Sequence, residues 1–315
     1  MNKKVIIDCD VGVDDALALI LAFHSPELEV EAITAVSGNV PLEKVFTNIQ
    51  KVLSLIRPQQ KPIIAQGADH PLRGESANAS WIHGEDGLGG AKIDQGEGEE
   101  RWQIFPGRAE ELITQMARQS PGEVTLIAIG PLTNLAFGLQ KDPGAMKQLK
   151  DVVVMGGAVR VPGNVTPYAE FNIHVDPLAA KIVFESGMPI TLVPLDVTHQ
   201  VVLSPPVMEE RMDSFHNPFS RFVVEATGYN SQRGKFRAGA DVFHLHDPLA
   251  VGAVIGPDLV NKKRLAISVD TREGERCGQT SEYAGGGAPD GSKLDVCLGV
   301  KSEKFLDLFL SRLRS

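Results

Sequence analysis

Four aspartates stand within eight positions near the start of the sequence: Asp8, Asp10, Asp14 and Asp15, in VIIDCDVGVDDALAL. No basic residue lies between them. On a β-strand, positions i and i+2 face the same way, so Asp8 and Asp10 are expected to converge and Cys9 to point to the opposite face. Gly12 permits a tight turn. Asp14 and Asp15 then open a helix, whose dipole favours negative charge at that end. The plain alternative is that Asp14 or Asp15 caps the helix while Asp8 and Asp10 are solvated. The apolar strand before the cluster and the apolar helix after it argue against free solvation. Packed carboxylates repel unless protons or a cation compensate. Oxygen ligands without histidine or cysteine favour calcium or magnesium over zinc.

Two other aspartate motifs share part of this pattern. An EF-hand loop counted from Asp8 needs glycine where Val13 stands and glutamate where Leu19 stands, so that motif fails. An aspartyl-phosphatase of the haloacid dehalogenase type also places DxD after its first strand. It usually continues with Thr or Val where this chain has Gly12, and its later GDxxxD element is absent. It stands as the enzymatic rival, with Asp8 as nucleophile.

Four further segments carry polar groups suited to a site. SGN ends at Asn39, and HGEDG begins at His83. GNVTPYAEFN contains Asn164, Glu170, Phe171 and Asn172. HDP gives His246, Asp247 and Pro248. Each alone has a structural reading: Asn39 as a turn residue, His83 as surface, and HDP as a helix start capped by Asp247 with Pro248 first.

Together and in order with DCDVGVDD, these segments resemble the inosine-uridine-preferring nucleoside hydrolase family, from Val5 to about Leu249. LIAIGPLTN and VVVMGG also look like family signatures. The resemblance runs closest to bacterial ribonucleoside hydrolases that accept both purine and pyrimidine nucleosides. It implies hydrolysis of an N-glycosidic bond with calcium as cofactor. Asp10, Asp15 and Asp247 would supply carboxylates to the metal, and the main-chain carbonyl of Ile129 another ligand. The family often has threonine there, but a main-chain oxygen does not depend on the side chain. Asp14, Asn39, Asn164, Glu170 and Asn172 match residues that hold the ribose hydroxyls, with Asp247 beside them and Phe171 as an apolar wall. His83 and His246 match residues near the base, and Asp8 looks like a support behind the cluster. Many members read DxDPGxDD, whereas Val11 replaces the proline here. The turn loses a fixed φ, but all four acids and Gly12 remain.

Breaking this bond builds positive charge on the ribose ring, as in other glycoside chemistry. A water must lose a proton, and Asp10 is the candidate base. The leaving base must be stabilised, and His246 is the better candidate acid, with His83 second. Histidine before the HDP aspartate favours pyrimidine or broad specificity within the family. Trp81 and Trp102 lie in or near the loop around His83, as stacking or packing residues. A non-catalytic nucleoside-binding protein is the reading from another class; release of free sugar separates the two.

These residues need a scaffold. Short β-branched runs alternate with helical patterns: Val5 to Ile7, Val30 to Val36, Ile63 with Ile64, Val124 to Ile129, Val152 to Met155 and Ile190 to Val193 read as strands. Between them, Ala16 to Phe23 and Glu110 to Ala117 read as helices. Another opens at Pro41 with Val45, Ile49, Val52 and Ile56 on one face, and another at Pro177 behind an Asp176 cap. Gln66 to Gln103 reads as a long loop. After about Lys262 come short glycine-rich strands, then a helix from Glu303 to Leu313. The pattern predicts an α/β fold: one domain over 1–315 with a mainly parallel, Rossmann-like open sheet flanked by helices, plus a short C-terminal β extension. Ligands of such sheets sit beyond the carboxyl ends of the strands, where the aspartates, SGN, Gly130 and Gly156 fall. Gln66 to Gly90 and Tyr229 to Asp241 are expected to close over the ligand.

The chain has 315 residues, 43% apolar, enough for a large core. Lys plus Arg is 31 against 40 for Asp plus Glu, a net charge of −9, which argues against nucleic acid or an anionic membrane as partner. Three cysteines make no secreted disulfide framework. No apolar run reaches spanning length, and the start lacks a signal-peptide core. The expected partner is a small ribonucleoside, the expected compartment a reducing cytoplasm. The resemblance implies a homodimer or homotetramer.

Overall fold

The β-branched runs form strands where the pattern places them, and most join one sheet. The computed structural model describes residues 2–74, 78–93, 102–212, 217–229, 231–283, 288–289 and 291–314. The side chain of Trp81, and the parts of the two expected lids at 75–77 and Asn230, lie outside the described residues. The strands are β1 (Lys3–Cys9), β2 (Leu28–Ala35), β3 (Ile63–Gln66), β4 (Gln103–Arg108), β5 (Thr125–Ala128), β6 (Asp151–Met155), β7 (Ile190–Val193), β8 (Val202–Leu203), β9 (Phe243–His244), β10 (Val260–Val269), β11 (Thr280–Glu282) and β12 (Lys293–Val300).

Ten of them form one sheet in the order β11-β10-β12-β7-β6-β5-β1-β2-β3-β4. From β4 through β7, and on to β12, neighbours run parallel; β10 and β11 close one edge antiparallel. The C-terminal strands therefore extend the main sheet itself. β8 and β9 form a separate two-stranded ribbon.

β1 is apolar on both faces because both are covered. Val5, Ile7 and Cys9 pack into one core with the helices Val13–Phe23 and His246–Ile255, while Ile6 packs into a second core on the other face. Cys9 thus sits on the opposite face from Asp8, as expected. On the helix Leu42–Ile56, Val45, Ile49 and Val52 are fully buried. Each such burial contributes about 1.5–3 kcal/mol, so a charge at Ile49 would detach this helix from β2.

The chain steps outward from β1 through β2, β3 and β4, then returns to β5 on the other side of β1. That reversal puts a topological switch point at the carboxyl ends of β1 and β5, where open sheets bind ligands. Three local expectations differ. The Gln66 to Gln103 stretch carries a one-turn helix, Ser80–His83, and β4 follows it. β4 escapes a periodicity reading because it is an exposed edge strand holding Pro106 and Gly107, with Ile104 exposed. The HDP helix begins at His246, so Asp247 lies in its first turn and does not cap it.

Candidate active site

The loop after β1 folds back on its own carboxylates. Asp15 Oδ1 accepts the Asp10 N–H at 3.1 Å, and its Oδ2 accepts the Gly12 N–H at 2.8 Å. Asn39 locks the loop after β2 onto the same group: its Nδ2 donates to Asp15 Oδ2 at 3.1 Å, and its N–H to Asp10 Oδ2 at 2.7 Å. Asp14 Oδ2 accepts the Asp247 N–H at 2.8 Å, which ties the HDP helix to the floor. Gly12 has an ordinary φ of −94°, so its role is close approach and not a special turn. A Cβ there would stand 2.7 Å from His83 Nδ1. At Gly38 it would meet Asp10 Oδ2 at 2.1 Å. Val11, in place of the family's proline, is held instead by Asn48, whose Nδ2 donates to its carbonyl at 3.3 Å.

This cluster is short of positive charge. Asp10 Oδ1 and Asp14 Oδ1 are buried without a hydrogen-bond donor. Burial pushes the carboxyls of Asp10, Asp14, Asp15 and Asp247 upward, and repulsion from neighbouring carboxylates adds at Asp10, Asp14 and Asp247. Among the described residues, no three acidic or imidazole groups close around one point as they stand. The orphaned oxygens and the all-oxygen donor set nevertheless fit a hard divalent cation seated between Asp10, Asp15 and Asp247. The Ile129 carbonyl accepts Asn172 Nδ2 at 3.0 Å and keeps its second lone pair.

Asp8 does not join Asp10. It is fully buried and turns to Thr34 Oγ1 and Asn134 Nδ2, 2.5 and 2.8 Å from its Oδ1, and burial raises it to about 7. A nucleophile sealed in this way cannot reach a phosphate ester, which removes the phosphatase rival.

Above the floor lies a cavity of about 430 Å³, within the range for small-molecule sites. Its polar side holds Asp14, Asn39, Asn164, Glu170, Asn172 and Asp247. Glu170 caps the helix Phe171–Val175 and accepts the N–H groups of Gly157, Asn172 and Ile173, so its carboxylate is fixed in place. Asn164 Oδ1 accepts the Phe171 N–H at 3.0 Å. Phe171 lines the cavity. Asp10 and Asp15 lie beneath the floor, joined to it through Asn39.

The opposite wall is imidazole and apolar. His83 Nδ1 accepts the Val13 N–H at 3.0 Å, so its hydrogen sits on Nε2. Burial, with Arg237 adding, lowers it to about 4. His246 stands beside His199 and His244, with ring centroids 5.7 and 5.3 Å away. Burial, then these imidazoles, hold it well below the usual histidine range. Phe236 and Phe243 complete the wall. Arg237 Nη2 donates to the carbonyls of Gly89 and Ala226, linking the two expected lids. Trp102 is not on the cavity; its ring lies under Lys61 Nζ, 5.0 Å from the centroid.

The family profile of inosine-uridine preferring nucleoside hydrolases matches residues 5–307. The chain belongs to this family. It is a ribonucleoside hydrolase, an N-glycosidase, and not a passive nucleoside binder. The nucleoside hydrolase is 37% identical to the pyrimidine-specific ribonucleoside hydrolase RihA of Salmonella gallinarum, over 100% of this chain and 99% of that one. It superposes on a plant nucleoside hydrolase, the PpNRh1 enzyme, with a TM-score of 0.90, 32% identity and full coverage of both chains. A purine-preferring ribonucleoside hydrolase from Gardnerella vaginalis gives 0.87 at 30% identity, covering 99% and 98%.

Sequence reasoning about this hydrolase missed Thr198, His199, His244, Phe236 and Arg237. One signal was available: His244 and His246 alternate in FHLHDP, and i, i+2 residues of an extended segment share a face. Nothing local announces that His199 joins them from 45 residues away in sequence (244 − 199).

Proposed function

We propose that this hydrolase is calcium-dependent and prefers pyrimidine ribonucleosides, with purine nucleosides slower, in nucleoside salvage. The observation that carries the cation is the pair of buried, donorless oxygens on Asp14, which lines the cavity, and on Asp10, which lies beneath it. The preference draws on the likeness to a pyrimidine-specific relative and on His246 ahead of Asp247.

Asp10, Asp15, Asp247 and the Ile129 carbonyl would hold the ion. When bound, calcium supplies the positive charge that acidifies water and grips hydroxyl oxygens. Asp10 Oδ1 takes the proton of the attacking water. Asp14, Asn39, Asn164, Glu170 and Asn172 hold the ribose hydroxyls, which fixes the sugar for attack. His246 gives a proton to the departing base from Nε2. Its low basicity makes it rarely charged but strongly acidic when charged. His83 contributes the fixed Nε2–H of a neutral ring.

Ribose release from uridine, cytidine and inosine, with and without chelator, tests the reading. Expected are chelator-sensitive release and the highest kcat/KM on a pyrimidine nucleoside. Chelator-insensitive release would sink the metal assignment, and faster inosine cleavage the preference. Melting curves give a second readout. Without the ion, the raised carboxyls hold protons that calcium must displace. Calcium should therefore raise Tm more at pH 8 than at pH 5.

A further inference from the structure

We propose that Thr198 is a positioning residue for departure of the base: its hydroxyl fixes the His246 ring so that Nε2 faces the cavity. This rests on the reading of His246 as the group that serves the leaving base.

Thr198 ends the short helix Leu195–Thr198 and is fully buried. Its Oγ1 lies 2.7 Å from His246 Nδ1. Among the described residues, that hydroxyl makes no other hydrogen bond. A buried hydroxyl with one partner is spent on that partner, because leaving it unmade costs the desolvation of the group. Threonine suits the task, since its branched Cβ restricts χ1.

Backbone ties set the two groups opposite each other. Thr198 N–H donates to the Pro194 carbonyl at 3.2 Å, and the Thr198 carbonyl accepts the Val201 N–H at 3.1 Å. Leu245, next to His246, donates its N–H to the Val201 carbonyl at 3.0 Å, and β8 pairs Val202 with His244. One turn therefore carries Thr198 and also anchors the segment that carries His246.

The imidazole has two nitrogens; Thr198 Oγ1 stands at Nδ1, and His246 lines the cavity. Without a partner at Nδ1, the ring is free to turn over about χ2 and present carbon where Nε2 should be. His83 meets the same need with a main-chain N–H from Val13. For His246, among the described residues, the Thr198 hydroxyl is the only group bonded to Nδ1.

The test compares Thr198→Val, which keeps the shape and removes the hydroxyl, with Thr198→Ser, which keeps the hydroxyl. Each is assayed on uridine and on a nitrophenyl riboside, whose leaving group needs no proton. The ratio of the two kcat values does not depend on how much enzyme folds. Thr198→Val should lower that ratio about 10-fold, a part of the usual worth of acid catalysis, with KM for uridine unchanged. Thr198→Ser should restore it. If the Val variant yields no soluble protein, Thr198→Ala is read in the same way. A lower Tm with an unchanged ratio would show that Thr198 only packs, and would overturn the proposal. His246→Ala run beside it separates the two claims. Equal losses on both substrates there would remove the acid reading itself. A selective loss there, with none in Thr198→Val, would sink Thr198 alone.

Discussion

The floor and the imidazole wall of this cavity are built in different ways. The floor grows from the ends of β1, β2 and β5, at the centre of a sheet buried on both faces. Its acids are fixed by main-chain N–H groups and by glycines whose missing Cβ lets loops touch. The wall is assembled from a one-turn helix, a two-residue ribbon strand, a 3₁₀ turn and a helix start. Its groups meet across more than a hundred residues of sequence, as His83 and His246 do. On the proposed assignment the floor would handle what every ribonucleoside shares, water and ribose, and the wall what differs, the base.

This division predicts that floor variants harm all substrates alike, while wall variants harm poor leaving groups first. The largest effect should come from Asp10→Asn, which keeps the shape and removes the base. Loss in kcat of about 10²-fold or more is expected, the lower range for a general base. It should be equal on uridine and on a nitrophenyl riboside, since both need the water. Near-normal turnover with calcium still bound by calorimetry would take Asp10 out of that role.

The same division explains what could be read in the sequence. Asp8 to Asp15 lie within one turn-and-a-strand of chain, so spacing alone brings most of them together. The parallel core strands were visible as β-branched runs because both faces are buried. Spacing alone could not name the partners of Asp8, because a shared face does not fix what a side chain bonds to; Thr34 and Asn134 claim it from other elements. β4 was invisible because its core-facing side is weak. Thr198 and His199 were invisible because only the fold brings residue 198 to residue 246.

A smaller and more selective effect is expected at His246. His246→Ala should cut kcat on uridine by about 10²-fold and cost much less on the nitrophenyl riboside. A group that merely grips the ribose would hurt both. Equal losses, or a loss confined to KM, would move His246 to the binding side of the comparison and blur the line between floor and wall.

The smallest catalytic effect should come from His83, and here pH is the sharper probe. Its Nδ1 is occupied by the Val13 N–H, and burial lowers it to about 4 against an ordinary 6.5. It is then neutral well above pH 4, and on the proposed reading it would serve as a fixed donor. His83→Gln should lower kcat only several-fold on uridine, well below the usual worth of acid catalysis. The group leaves a clearer mark on stability. Between pH 6.5 and 4 the unfolded chain binds a proton on this ring that the folded chain does not. Its contribution is fully present above pH 6.5 and is lost as pH falls toward 4. The difference of about 2.5 pH units corresponds to roughly 3 kcal/mol. Denaturant titrations of both proteins at pH 7 and pH 4.5 isolate it, because the buried carboxyls are common to both. Wild type should lose more stability than His83→Gln over that interval. Parallel losses would show that His83 titrates normally. A leaving-group-dependent loss of kcat in His83→Gln would go further, transferring the acid from His246 to the loop that carries His83 and making closure of that loop part of the chemical step.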